Sequence, residues 1–214
     1  MTPHIARSPT KTCAVLLFSL IPLLVQAEVT TYVALNAKGK KTLPQTGLRA
    51  HPCVLDTASG LVWEVKTDDN GPRDKKWTYS WHDKTLEKQR LPVGYLDGGQ
   101  CMPKGRCDTE SYMADINKRG LCGFRDWRLP TVEELESLLR PDAQGAKIDA
   151  RFFPNTLASY FWTSRYVYSE VGGAMLVSFD LALSLEGNSA SGTSVRLVRG
   201  QPNHPMSSVK NIMK

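Results

Sequence analysis

The stretch Gly120 to Leu139, G-L-C-G-F-R-D-W-R-L-P-T-V-E-E-L-E-S-L-L, decides the fold class, because a cysteine, a Trp-Arg pair and a helix start follow one another in fixed order. Thr131 stands as an N-cap, and Glu134 three positions on completes a capping box. Val132, Leu135, Leu138 and Leu139 repeat at helical spacing, and Pro141 ends the predicted helix. Asp126, Trp127 and Arg128 read as structural: a Trp before a capped helix fills a core, and an Arg beside it can stack and bind carbonyls at once. Upstream, a second helix is predicted from about Thr109 to Arg119, with Asp108 as cap, Tyr112, Met113 and Ile116 on one face and Gly120 as the stop.

Outside this pair of helices the pattern is that of short strands. Residues 28–50 alternate around Val29, Tyr32, Ala34 and Leu35 before A-K-G-K-K and L-P-Q-T-G, which predicts a first strand and a linker. Cys53-Val54-Leu55 and Leu61 to Val65 flank the turn D-T-A-S-G, a strand pair. Thr67 to Gly99 is polar and punctuated by Gly and Pro, so it reads as loop, with Trp77, Tyr79 and Trp81 alternating like one edge of a short strand. Phe161 to Ser164, Ala174 to Phe179 and Val195 to Val198 suit three antiparallel strands, and residues 201–214 read as a flexible tail.

Residues 1–27 have the form of a secretory signal: His4, Arg7 and Lys11 precede an apolar run from Cys13 to Val25, and Val25-Gln26-Ala27 ends in small residues suited to cleavage. That run is shorter than the ~20 residues a helix needs to cross a bilayer, so no stable membrane insertion is expected after cleavage. The expected location is the periplasm, the cell surface or the medium. Cleavage would remove Arg7 and Lys11 and no acid from the totals of 27 basic and 21 acidic residues, leaving 25 and 21 and a net charge of +4. This mild, dispersed excess argues against a nucleic-acid partner and admits an anionic polysaccharide. Four cysteines remain, Cys53, Cys101, Cys107 and Cys122, an even number that suggests two disulfides among three possible connectivities. Cys101 with Cys107 is favoured because they flank the short turn M-P-K-G-R, leaving Cys53 with Cys122. No C-x-x-C spacing supports a zinc site.

Catalytic motifs are missing: there is no G-x-S-x-G elbow, H-E-x-x-H, P-loop or dinucleotide fingerprint. Glu133, Glu134 and Glu136 crowd a helix start, where acids favour the dipole. No cofactor or metal is expected, and the chain does not read as an enzyme. Arg196 and Arg199 in V-R-L-V-R read as the last strand, where an Arg can pair with an acid such as Asp126.

With C-V-L-D-T-A-S-G-L-V-W-E before it and F-W-T-S and V-R-L-V-R-G after it, the signature stretch resembles the bacterial DUF1566 family, also called the Lcl C-terminal domain, over residues 51–200. The resemblance implies an α+β, disulfide-stabilised fold of the C-type lectin-like and formylglycine-generating-enzyme-like kind, with twisted antiparallel strands and two helices. It implies a ligand surface in Tyr160 to Tyr168 and Glu186 to Thr193, with Trp162, Arg165, Tyr166, Tyr168 and Asn188 the most useful side chains. Aromatic burial habits leave Trp162 open to a core role as well. Lys75, Lys76, Trp77, Tyr79 and Trp81 form a second candidate patch. The chain lacks the E-P-N and W-N-D calcium pairs of sugar-binding C-type lectins, so calcium dependence is not implied. The expectation is an exported recognition module for glycans or surface polysaccharide in adhesion or envelope biology. Its alternative is a protein-interaction subunit of a pilus, secretion or other envelope assembly.

Overall fold

The computed structural model describes Met1 and residues 32–47, 50–170 and 172–203. The expected secretory segment, apart from Met1, and the expected tail beyond residue 203 lie outside the described residues. In chain order the regular elements are β1 (Tyr32–Leu35), β2 (Cys53–Asp56), β3 (Val62–Glu64), α1 (Thr109–Arg119), α2 (Val132–Glu136), β4 (Tyr160–Val167), β5 (Gly173–Ser178), β6 (Leu183–Asn188) and β7 (Val198–Arg199). They form two antiparallel sheets, ordered β1-β2-β3-β7 and β4-β5-β6.

Local chemistry explains the first sheet and both helices. The Asp56 carboxylate accepts from the Ala58 N–H (2.9 Å) and the Ser59 hydroxyl (2.7 Å), closing the turn that returns β2 into β3. In α1, Asp108 accepts from Ser111 N–H at 2.8 Å, and Gly120, at φ 68°, turns its own N–H back onto Ile116 and Asn117. The capping box of α2 forms between Thr131 and Glu134, but the helix stops at Glu136, well short of Pro141. Its chain tightens instead: Leu138 and Leu139 bond back three residues to Leu135 and Glu136, and both leucines stay buried.

Two strand expectations need correction. The strand expected over Val195 to Val198 is shorter and shifted: Val198 and Arg199 form β7, which pairs with β3, and Val198 also bridges Arg128. The third strand of the second sheet is β6, which no strand expectation covered and which runs into the Glu186 to Thr193 stretch expected as ligand surface. Gly187 disguises it. A Cβ there would lie 2.6 Å from Leu176 Cδ1 and 2.9 Å from the Trp162 ring, so this glycine is a close approach between strands rather than a turn.

The signature segment fastens the two ends of the domain together. A disulfide joins Cys53 of β2 to Cys122, and a second joins Cys101 to Cys107. Trp127 is buried and its indole donates to the Leu121 carbonyl at 3.2 Å. Arg128 forks onto both oxygens of Glu134 at 2.7 Å each and also donates to the Gly200 carbonyl, so one acid serves the helix cap and the last strand. Asp126 pairs with Arg199 at 2.8 and 3.0 Å, and not with Arg196. Arg196 is 0 % exposed among Phe153, Phe161 and Phe179, whose ring centroids lie 4.9, 5.6 and 5.9 Å from its guanidinium carbon. Burial pushes its pKa down to about 10, and Thr156 accepts its Nη2 proton at 2.7 Å.

Candidate binding groove at Trp77

The segment Thr67 to Trp77, T-D-D-N-G-P-R-D-K-K-W, is too polar to bury and folds upon its own acids. The Asp74 carboxylate accepts from the Asn70 N–H at 2.6 Å and the Lys76 N–H at 3.0 Å. Lys75 pairs with Asp68 at 2.8 Å. Trp77 is half-buried: its indole N–H donates to the Gly71 carbonyl at 2.8 Å, and the Lys76 ammonium stands 4.8 Å from its ring centroid. The loop therefore holds an aromatic ring at a fixed angle beside a cation.

Asp74 is the organiser of that loop, which makes it a test. Burial raises its carboxyl pKa, but the N–H groups of Lys76 and Asn70 and the Lys76 charge outweigh burial and hold it below the usual range. A depressed folded value contributes stability that is present above the unfolded value of about 3.9 and is lost as pH falls through the folded value. Asp74→Ala is expected to cost about 1–3 kcal/mol by removing the charged acceptor of the Asn70 and Lys76 N–H groups, and to flatten the acid limb of the stability profile. Urea unfolding between pH 2.5 and 7 checks it; an unchanged acid limb would remove Asp74 from this role.

Beyond Trp77 the chain runs inward. Tyr79 and Trp81 are buried, donating to the carbonyls of Pro72 (3.2 Å) and Thr163 (3.1 Å), so of the expected aromatic patch only Trp77 and its two lysines face solvent. Opposite Trp77, the bridged loop Cys101 to Cys107 forms the far wall of a cavity of about 570 Å³, lined among others by Asp97, Gln100, Met102 and Lys104. Asp97 accepts from the Cys107 N–H at 2.8 Å, and Gly99 packs so closely that a Cβ would lie 2.2 Å from the Thr78 carbonyl. The sequence reading missed these loop residues. Two cysteines six positions apart behind Gly98-Gly99 were the available signal of a rigid loop.

The other expected ligand surface does not assemble. Trp162 is 0 % exposed and donates to the Tyr79 carbonyl at 2.7 Å, which corrects its role to core. Tyr166 is half-buried against Trp81 at 6.0 Å, while Arg165 turns to α2 and pairs with Glu133 at 3.0 Å. Tyr168, 76 % exposed, and Asn188, whose side chain accepts from the Ala190 N–H, remain on the surface without them. The physical cause is strand alternation, interrupted by an irregularity between Trp162 and Tyr166, which sends neighbouring side chains to opposite faces.

The clustered acids are likewise committed: Glu134 to Arg128, Glu133 to Arg165, and Glu136, buried, accepts from the Ser184 hydroxyl at 2.7 Å. Among the described residues no group of three His, Cys, Asp or Glu could hold a metal ion, and no helix is long and apolar enough to cross a membrane. A family model, the Lcl C-terminal domain, matches residues 52–199. No curated protein and no solved structure matches the chain.

Proposed function

From the premise that the chain belongs to the Lcl C-terminal domain family, we propose that it is an exported, non-catalytic recognition module of lectin-like fold, binding glycans or surface polysaccharide in adhesion or envelope biology. The observation that carries this reading is the Trp77 groove. An indole held in place by Gly71 offers apolar contact to a sugar ring, and the ammonium groups of Lys76 and Lys104 and the amide of Gln100 offer polar contacts around it. Export is supported by the signal-like N-terminus and by two disulfides, which persist in oxidising compartments. A non-catalytic role is supported by the structural partners of each clustered acid.

The test is binding of the purified, disulfide-bonded protein to a broad glycan array at low and physiological salt. Trp77→Ala is expected to weaken the best ligand about tenfold, or about 1.4 kcal/mol, with no change on calcium chelation. An array without a single ligand would sink the reading. The second reading, a protein-interaction subunit of a pilus, secretion or other envelope assembly, draws on Tyr160, Leu181 and Leu183, apolar side chains exposed at the end of the second sheet. It calls for a stable partner in crosslinked envelope pull-downs, lost on Leu181→Lys.

A further inference from the structure

Residues Thr67 to Arg73 of the Trp77 loop line a second cavity of about 390 Å³, within the range of about 300–1,000 Å³ usual for small-ligand sites. Pro52, Pro72, Ile116 and Leu121 give it apolar walls, and Arg73 and Arg119 give it two guanidinium groups. The ends of the first sheet's strands anchor Arg73: its Nη1 donates to the carbonyls of Pro52, just before β2 (3.2 Å), and Val65, just after β3 (2.5 Å). That leaves the Nε–Nη2 edge, for which no protein acceptor is present among the described residues. Arg119 makes no ion pair among the described residues. The one acid in the lining, Asp69, accepts from Thr67 Oγ1 and the Gly71 N–H, both at 2.8 Å and both on Oδ1, so its Oδ2 is left for an outside donor.

This donor set has a chemical complement. A guanidinium edge whose orientation is already fixed matches the two oxygens of a planar carboxylate. A second guanidinium, that of the exposed Arg119, lines the same cavity, and the Asp69 carboxylate oxygen in the same lining takes a hydroxyl. A carboxylate and hydroxyls on one small ring are the features of an acidic sugar. A bare sulfate offers Asp69 no hydroxyl to accept from. We infer that the cavity between Arg73 and Arg119 is a subsite for the carboxylate of a uronic-acid residue in a polysaccharide. The inference rests on the glycan-binding reading above and names its ligand class. The Gly71 carbonyl that holds the Trp77 indole belongs to a residue lining this cavity, so one loop presents both surfaces to a polymer.

The experiment is calorimetric titration of the full disulfide-bonded protein with oligogalacturonate, its methyl ester, dextran sulfate and neutral dextran. Oligogalacturonate is expected to bind, and esterification to weaken it about tenfold or more, because the charge-assisted pair is lost. Arg119→Ala, exposed and without a structural bond to break, is expected to weaken oligogalacturonate by a similar factor and to leave the ester unchanged. Arg73→Lys, with its melting temperature measured alongside, is expected to do the same because an ammonium cannot offer the forked edge. Equal affinity for dextran sulfate, or indifference to both esterification and Arg119→Ala, overturns the subsite. If oligogalacturonate is silent while other glycans bind and depend on Trp77, the subsite fails and the glycan reading stands. If the whole array is silent, both fail.

Discussion

Replacing Glu64 with alanine is expected to lower the unfolding free energy by about 3–5 kcal/mol, the cost of leaving one half of a buried ion pair unpartnered. Glu64 lies on β3, the strand between β2 and β7, and is fully buried with Lys66. Its Oε1 accepts from the Lys66 ammonium at 3.1 Å and from the Tyr112 hydroxyl; its Oε2 accepts from the Leu197 N–H at 3.0 Å. The one carboxylate therefore holds together β3, the α1 helix and the approach to β7. Burial pushes the Lys66 pKa down and Glu64 opposes it, which states the coupling in another form. Glu64→Gln keeps the shape but turns an amide N–H toward a donor on one side or the other, so it is expected to recover only part of the loss. The discriminating variant is the pair Glu64→Met with Lys66→Met. Removing both charges together is expected to recover only part of the stability: Lys66 no longer stands unpaired, but the Tyr112 hydroxyl and the Leu197 N–H lose their acceptor and the buried Arg196 loses the charge that offsets it. Urea midpoints for the singles and the double decide it. A single Glu64→Ala within about 1 kcal/mol of the parent protein would mean that water reaches Lys66 and the pair is not closed off.

That network also marks the boundary of what was legible in the residues. Periodicity and caps revealed both helices, because a capping box and a glycine stop are local devices that act within a few residues of chain. The turn from Asp56 to Gly60 and the first strand pair were legible for the same reason. Glu64 and Lys66 gave no such signal: acids and lysines are ordinary on a half-exposed strand, and only the long-range packing of Tyr112 and Leu197 against them makes them core. An arginine of V-R-L-V-R was expected to pair with an acid such as Asp126, and Arg199 does; the residues did not tell which arginine, because Arg196 and Arg199 differ only in the face on which the chain turns them. The Trp77 loop was noticed for its aromatic alternation, and that alternation itself hides Tyr79 and Trp81. The groove exists because residues 97–107 lie across it, a tertiary fact outside any local window.

Trp162→Ala is expected to destabilise the protein by about 3–5 kcal/mol, and this separates a core aromatic from a ligand platform. The ring is 0 % exposed on β4; its indole N–H is the partner of the Tyr79 carbonyl at 2.7 Å, and Gly187 on β6 is a glycine because the ring and Leu176 leave no room for a Cβ. Truncation would open a large cavity between β4 and β6, and that cavity carries most of the cost, since the Tyr79 carbonyl keeps the Thr193 N–H at 3.1 Å. Trp162→Phe keeps most of the apolar volume and loses only the hydrogen bond, so its cost is expected to be clearly smaller. Tyr168→Ala, on an exposed side chain, is expected to stay within about 0.5 kcal/mol. Urea unfolding combined with glycan binding measured far below the unfolding midpoint resolves the point. If Trp162→Ala remains as stable as the parent protein and yet abolishes binding, the ring is a contact surface after all. If binding by the folded fraction is unchanged while the midpoint drops, loss of activity in that variant reports unfolding, and the search for the ligand belongs at Trp77 and Arg119.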